Sequence, residues 1–248
     1  MAQLVNPSVL FFSLIGSILP AVLWLWFWLR EDDKHPEPEA MIVVTFIVGI
    51  LSVIPTYFAE EYVAKAVTNP ALLLACWALI EEIMKFGAAW IAALRTRFYD
   101  EPIDAIIYLI TAALGFAAAE NFLFIVNSQD AITSVLTGSM RFVGASLLHT
   151  LASAFIGSLL ALSFNKHYSL RFFAGAFGLI TSTILHTSFN VFIIKNDGGQ
   201  ISTVFMALWL SIVFLILFFE KLRVEDIYPC EAEANPDPTD PSSETPSA

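Results

Sequence analysis

The stretch ALLLACWALIEEIMKFGAAWIAAL, residues 71–94, decides how this chain is read. About 20 predominantly apolar residues suffice to cross a bilayer as one helix, and this run is long enough. Yet it carries Glu81, Glu82 and Lys85 near its middle. An ionisable residue at that depth costs roughly 2.5–3.5 kcal/mol on insertion scales unless it is paired or wet. At 3.6 residues per turn the two acids and the lysine share one face, with Lys85 angularly between the acids. A lysine there neutralises one carboxylate and leaves the other free to work.

Six more apolar runs flank this one, at 9–29, 40–59, 103–126, 142–162, 172–194 and 201–219. Together they predict an all-α, polytopic membrane helix bundle of about seven transmembrane helices. The composition agrees. The 248 residues are 57% apolar and 14% charged, with a mean hydropathy of +0.72. Soluble domains hold about 45–50% apolar and about 25% charged residues. A soluble enzyme and a disordered chain are both excluded. The first run has no positive flank before it and ends in Trp24, Trp26 and Trp28, so it reads as a span with an interfacial aromatic end, not as a cleaved signal. Cys76 and Cys230 form no CxxC or Cys-His zinc spacing. Basic patches with interleaved aromatics are absent, so no nucleic acid is expected as a partner.

The loops set the orientation. One alternating set of connections holds Arg30, Lys34, Arg95, Arg97, Lys166, Arg171, Lys221 and Arg223; the other holds Lys65, Arg141 and Lys195. The positive-inside rule puts the first set in the cytoplasm, the N-terminus outside and the C-terminus inside. The expected location is the plasma (inner) membrane. The net charge of −11 belongs largely to the end of the chain, where seven acids and no Lys or Arg follow Arg223. Residues 1–223 are read as one transmembrane domain and 224–248 as a disordered, acidic cytoplasmic tail.

Six ionisable residues sit well inside the runs: Glu81, Glu82, Lys85, Glu120, His149 and His186, accompanied by Asn121 and Asn190. One such residue is readily explained as glue between helices; six across four helices are not. From the outer surface Glu81 lies roughly 15 Å deep and Glu120 roughly 9 Å. The two histidines fall within the same roughly 6 Å layer. Helices running in opposite directions thus bring these groups to one level. His186 shares a face with Asn190, and His149 with Ser153. Glutamates beside histidines activate water, with a carboxylate as general base and an imidazole or amide at the developing oxyanion. The same set suits zinc, through His149, His186 and either Glu82 or Glu120, with water in the open position. No HExxH signature decides between the two. No cofactor is favoured, and zinc is the one kept open.

These residues also carry a resemblance. EEIMK at 81–85, EN at 120–121, His149, HTSFN at 186–190 and the loop HPEPE at 35–39 together resemble the PrsW family of intramembrane proteases. More distantly they are similar to the CAAX prenyl endopeptidase and bacteriocin-processing group. The likeness covers roughly residues 30 to 195. It implies an intramembrane endopeptidase that cuts membrane-anchored proteins, in one family role an anti-sigma factor at site 1. It implies Glu81 and Glu82 as the catalytic pair, completed by Glu120, His149 and His186. Asn190 would assist the oxyanion, with Lys85 and Asn121 in support. Two other classes compete. Matched histidines ligate haem in some proteins, which would leave the three glutamates unexplained. An ion or proton relay also uses intramembrane Glu, Lys and His, but needs polar groups along the whole depth.

Overall fold

The computed structural model describes residues 7–31, 36–127, 132, 135, 144–195 and 201–234. Seven α-helices and no strand occur among them: α1 (Pro7–Glu31), α2 (Glu39–Ala66), α3 (Pro70–Ala89), α4 (Asp104–Val126), α5 (Ala145–Leu162), α6 (Tyr168–Lys195) and α7 (Ile201–Ala234). Five of them, α1, α2, α4, α5 and α6, are long and apolar enough to cross a membrane. α3 has the length but carries Glu81, Glu82 and Lys85, and α7 contributes a shorter apolar piece, Phe205–Phe218.

The bundle is built around α4. Every residue from Asp104 to Ala118 is buried, as expected of a helix that is apolar all round. α1, α2, α3 and α5 pack against it, and α6 closes the far side by packing on α3 and α5. Two glycines set the α2–α4 crossing. A Cβ on Gly49 would overlap the Ala112 carbonyl, and one on Gly115 the Phe46 carbonyl. Gly157 likewise lets α5 approach the backbone of α4 at Ala105 and Ile106. Small residues at crossings are how membrane helices approach closely. α7 is peripheral, touching α5 and α6 and stacking Trp209 near Trp24 of α1.

Some boundaries differ from those expected. α2 continues past residue 59 to Ala66, because the next breakers are Asn69 and Pro70 and because Glu61 and Lys65 pair one turn apart at 2.8 Å. Glu60 is therefore helical and half-buried. α7 runs on through 224–234, the first part of the segment expected to be a disordered tail. Residues 235–248 lie outside the described residues, as does most of the 127–140 segment.

At the end of the bundle where α4 begins, polar groups that the sequence had not joined meet. The Tyr108 hydroxyl donates to the Glu37 carboxylate, and Asp104 Oδ2 accepts from the backbone N–H of Asp100 and Glu101 at 2.9 and 2.7 Å. Glu37 of the HPEPE loop thus ties the α1–α2 connection to the central helix.

Candidate active site

α3 starts on Asn69, whose side-chain oxygen accepts from the N–H of Ala71 and Leu72, with Pro70 in the first turn. That start fixes the phase of the helix. Its buried residues are Ala78, Glu81, Glu82, Lys85, Ala88 and Ala89, one face at helical spacing. The alanines let α3 lie close to its neighbours, and the charged residues between them point inward.

All six expected ionisable residues meet in one cluster drawn from α3, α4, α5 and α6. Lys85 Nζ ion-pairs with Glu82 Oε1 at 2.5 Å and stands 2.9 Å from His149 Nδ1. His149 Nε2 lies 3.0 Å from Glu120 Oε2, and His186 Nδ1 lies 2.8 Å from Glu82 Oε1. Glu81 Oε2 stands 3.9 Å from His149 Nδ1 and 3.8 Å from His186 Nε2. The imidazole rings meet edge to face, 5.2 Å between centroids. Glu120 is the most open member, its side chain 20% exposed, against 10% for Glu81 and none for Glu82.

The partners fix the proton positions. A carboxylate accepts and an ammonium donates. His149 therefore donates from Nε2 to Glu120 and accepts at Nδ1. His186 donates from Nδ1 to Glu82 and presents the lone pair of Nε2. The two rings use opposite nitrogens, and Glu81 stands near the acceptor nitrogen of each, although on His149 that nitrogen already accepts from Lys85. Among the described residues Glu81 Oε2 has no hydrogen-bond partner, although it is buried.

Asn121 and Asn190 divide. Asn121 is buried and donates from Nδ2 to Ser146 Oγ at 3.1 Å, holding α4 to α5 one residue from Glu120. Asn190 is half-buried and, among the described residues, makes no hydrogen bond to the cluster. Two contributors went unnoticed in the sequence. Ser182 Oγ lies 2.9 Å from Glu82 Oε2 and 3.0 Å from the Ala152 carbonyl, joining α6 to α3 and α5. Its signal was its place one turn before His186, the mirror of Asn190 one turn after. Phe116 lies under Lys85 Nζ at 5.5 Å and against the His149 ring at 5.7 Å, and no spacing rule marks an aromatic in an apolar run.

The cluster also suits a metal ion, with one correction. One donor atom each from Glu81, His149 and His186 lies within 4.8 Å of the others. Two imidazole nitrogens and a carboxylate oxygen are a donor set that catalytic zinc uses. The carboxylate in that set is Glu81, and not Glu82 or Glu120 as the sequence suggested. Glu82 and Glu120 hold the far nitrogens of His186 and His149 instead, as carboxylates behind ligating histidines do. Helical phase is the reason: a 100° step separates Glu82 from Glu81 and turns it toward Lys85, Ser182 and His186 Nδ1.

Fold and site together define a polytopic α-helical membrane protein with a buried carboxylate–imidazole cluster inside the bundle. The family model described as PrsW family intramembrane metalloprotease matches residues 37–218. The chain belongs to the PrsW family. It is similar to "Protease PrsW" of Geobacillus kaustophilus (strain HTA426), 32% identical over 118 residues, 46% of this chain and 52% of the relative. It is also similar to the proteins of the same name from Oceanobacillus iheyensis (26% over 119 residues, 47% and 55%) and Bacillus subtilis (strain 168) (26% over 119 residues, 46% and 55%). The chain spans about half the length of these curated relatives. No solved structure matches it.

Proposed function

We propose that this protein is an intramembrane endopeptidase that hydrolyses membrane-anchored proteins, with Glu81 as the group that activates water. The observation that carries the reading is a buried carboxylate oxygen, Glu81 Oε2, that has no hydrogen-bond partner among the described residues and stands 3.8 Å from His186 Nε2 and 3.9 Å from His149 Nδ1. A water donating to Glu81 Oε2 and to His186 Nε2 has both protons committed and a lone pair aimed outward for attack. Glu81 takes one proton as the water adds to the scissile carbonyl, then delivers it to the leaving amine. The water's other proton stays on the added oxygen and remains donated to His186 Nε2, which orients the tetrahedral adduct, while the positive charge and amide donor beside it stabilise the oxyanion. Glu82 keeps that ring oriented through Nδ1, Glu120 does the same for His149 through Nε2, and Asn190 stands one turn from His186 as a second amide donor. The lysine ammonium supplies fixed positive charge in a dry site, where it counts for more than in water.

The description of the family as metalloproteases, together with the Glu81, His149 and His186 donor set, favours a metal-assisted form as the second reading. Those three residues would hold the metal, which when bound supplies a polarised water and a Lewis acid for the carbonyl. The substrate class is a membrane-anchored protein, of which an anti-sigma factor is the type suggested by the family likeness. Membrane proteomics of cells carrying the wild-type chain or Glu81→Gln tests the proposal. A truncated membrane protein found only with the wild type is the expected result; identical membrane proteomes would overturn it. Chelation of the purified protein then separates the two forms. Cleavage that stops and returns with Zn²⁺ belongs to the metal form, and cleavage that persists belongs to the carboxylate alone.

A further inference from the structure

His149 Nδ1 has two claimants. It lies 2.9 Å from Lys85 Nζ and is also the nitrogen that faces Glu81 Oε2, at 3.9 Å. A neutral imidazole has one such lone pair, which accepts a hydrogen bond or binds a metal, but not both. The other ring nitrogen is engaged by Glu120 at 3.0 Å, so the ring cannot turn over without giving up that bond. Lys85 in turn is wholly buried, with its Nζ 5.5 Å from the Phe116 ring centroid. It has a second anchor, Glu82 Oε1 at 2.5 Å. The ammonium therefore reaches His149 from a tether and has somewhere to withdraw to within the same cluster.

We infer that Lys85 is a tethered cation in competition with a divalent metal ion for His149 Nδ1, so that the two are mutually exclusive partners of that atom. In one state of the site the positive charge at His149 is the lysine. In the other, Lys85 is drawn back onto Glu82, and Glu81, His149 and His186 are free to act together as a donor set. Charge reinforces the exclusion, because an ammonium beside a divalent ion repels it strongly at short range in a medium of low dielectric. The inference concerns which cation the cluster holds. It goes beyond the proteolytic reading and does not depend on it.

The test is Co²⁺ binding by the full chain in detergent micelles, followed by ligand-field absorption and calorimetry, with no substrate present. Lys85→Met, which keeps the aliphatic stem, is expected to bind Co²⁺ at least about tenfold more tightly than wild type, a difference of about 1.4 kcal/mol. His149→Ala should remove tight binding in both backgrounds. Equal affinity for wild type and Lys85→Met, or no Co²⁺ binding by either, would overturn the inference. Should Lys85→Met fail to fold because Glu82 is left unpaired, the comparison moves to Glu82→Gln with and without Lys85→Met, and the same difference is expected. Because the readout is metal affinity, a failure here leaves the proteomic test of Glu81→Gln untouched, and a failure there leaves this one standing.

Discussion

The two adjacent glutamates of α3 should respond in opposite ways to removal. Glu82 is fully buried and has three partners: Lys85 Nζ at 2.5 Å, His186 Nδ1 at 2.8 Å and Ser182 Oγ at 2.9 Å. Glu82→Ala leaves the Lys85 ammonium without its counter-ion, and breaking a buried pair from one side costs about 3–5 kcal/mol. Glu81 Oε2 has no hydrogen-bond partner among the described residues, so Glu81→Ala gives up little and removes a carboxylate that is expensive to bury. Its stability should stay within about 1 kcal/mol of wild type, or rise. Thermal unfolding in a fixed detergent, read by tryptophan fluorescence, measures the contrast. With about 2–4 °C per kcal/mol for a chain of this size, Glu82→Ala should melt roughly 6–20 °C early and Glu81→Ala close to wild type. Adding Lys85→Met to Glu82→Ala should recover at least half of the loss, since no lone charge then remains. Both single variants should be inactive. Equal melting of the two, or a Glu81→Ala loss as large as that of Glu82→Ala, would refute the division of roles.

Ser182→Ala removes the donor at Glu82 Oε2 and should cost about 1–3 kcal/mol of stability together with most of the turnover, whereas Ser182→Thr, which keeps the hydroxyl, should restore both; melting and cleavage assays check this. Gly115→Ala places a Cβ against the Phe46 carbonyl and should lower the melting temperature markedly, while Gly87→Ala, where a Cβ meets nothing within 4 Å, should be neutral or stabilising by about 0.5–1 kcal/mol. His186→Asn keeps an amide donor near the Nδ1 position bonded to Glu82 but removes Nε2, so it should fold with nearly wild-type stability and lose cleavage; His186→Leu should lose both, and its circular dichroism melt and activity are the measurements.

The sequence carried the membrane class and the cluster's membership, for the same physical reason. An apolar run that must cross a bilayer is conspicuous, and a charge inside it more so, because the medium penalises it. Glu81, Glu82, Lys85, Glu120, His149 and His186 were all found that way, and helical rise alone put them near one level. The assignment of partners was not legible. Which glutamate stands between the two histidines and which pairs with Lys85 depends on the rotation of α3 against α5 and α6. That rotation is set by the close packing of Ala78, Ala88 and Ala89, which no residue count reveals. Ser182 escaped because a serine in an apolar run usually bonds back to its own helix, as Thr181, Thr183 and Thr187 do here. Glu37 was noticed only as part of a motif; its bond to Tyr108 joins positions 71 residues apart.

The same geometry weighs against the two competing classes. A bis-histidine haem needs its two rings on opposite faces of a macrocycle, but His149 and His186 touch edge to face at 5.2 Å and share Glu81 as a common neighbour. A relay needs polar groups through the whole thickness. On α4 the lower cluster ends at Tyr108 and the upper one begins at Glu120, roughly 18 Å along the helix. Between them α4 offers one hydroxyl, Thr111, and that bonds the Ile107 carbonyl of its own helix at 2.7 Å. The remaining residues of that stretch, from Leu109 to Ala118, are buried and apolar or glycine. A proton entering at either end of α4 meets a dry plug along that helix, while the upper cluster stays most open at Glu120. Polar groups gathered at one level, with a sealed helix beneath them, fit a site that acts on something brought to it better than they fit a path, and that is the arrangement the proposed hydrolysis requires.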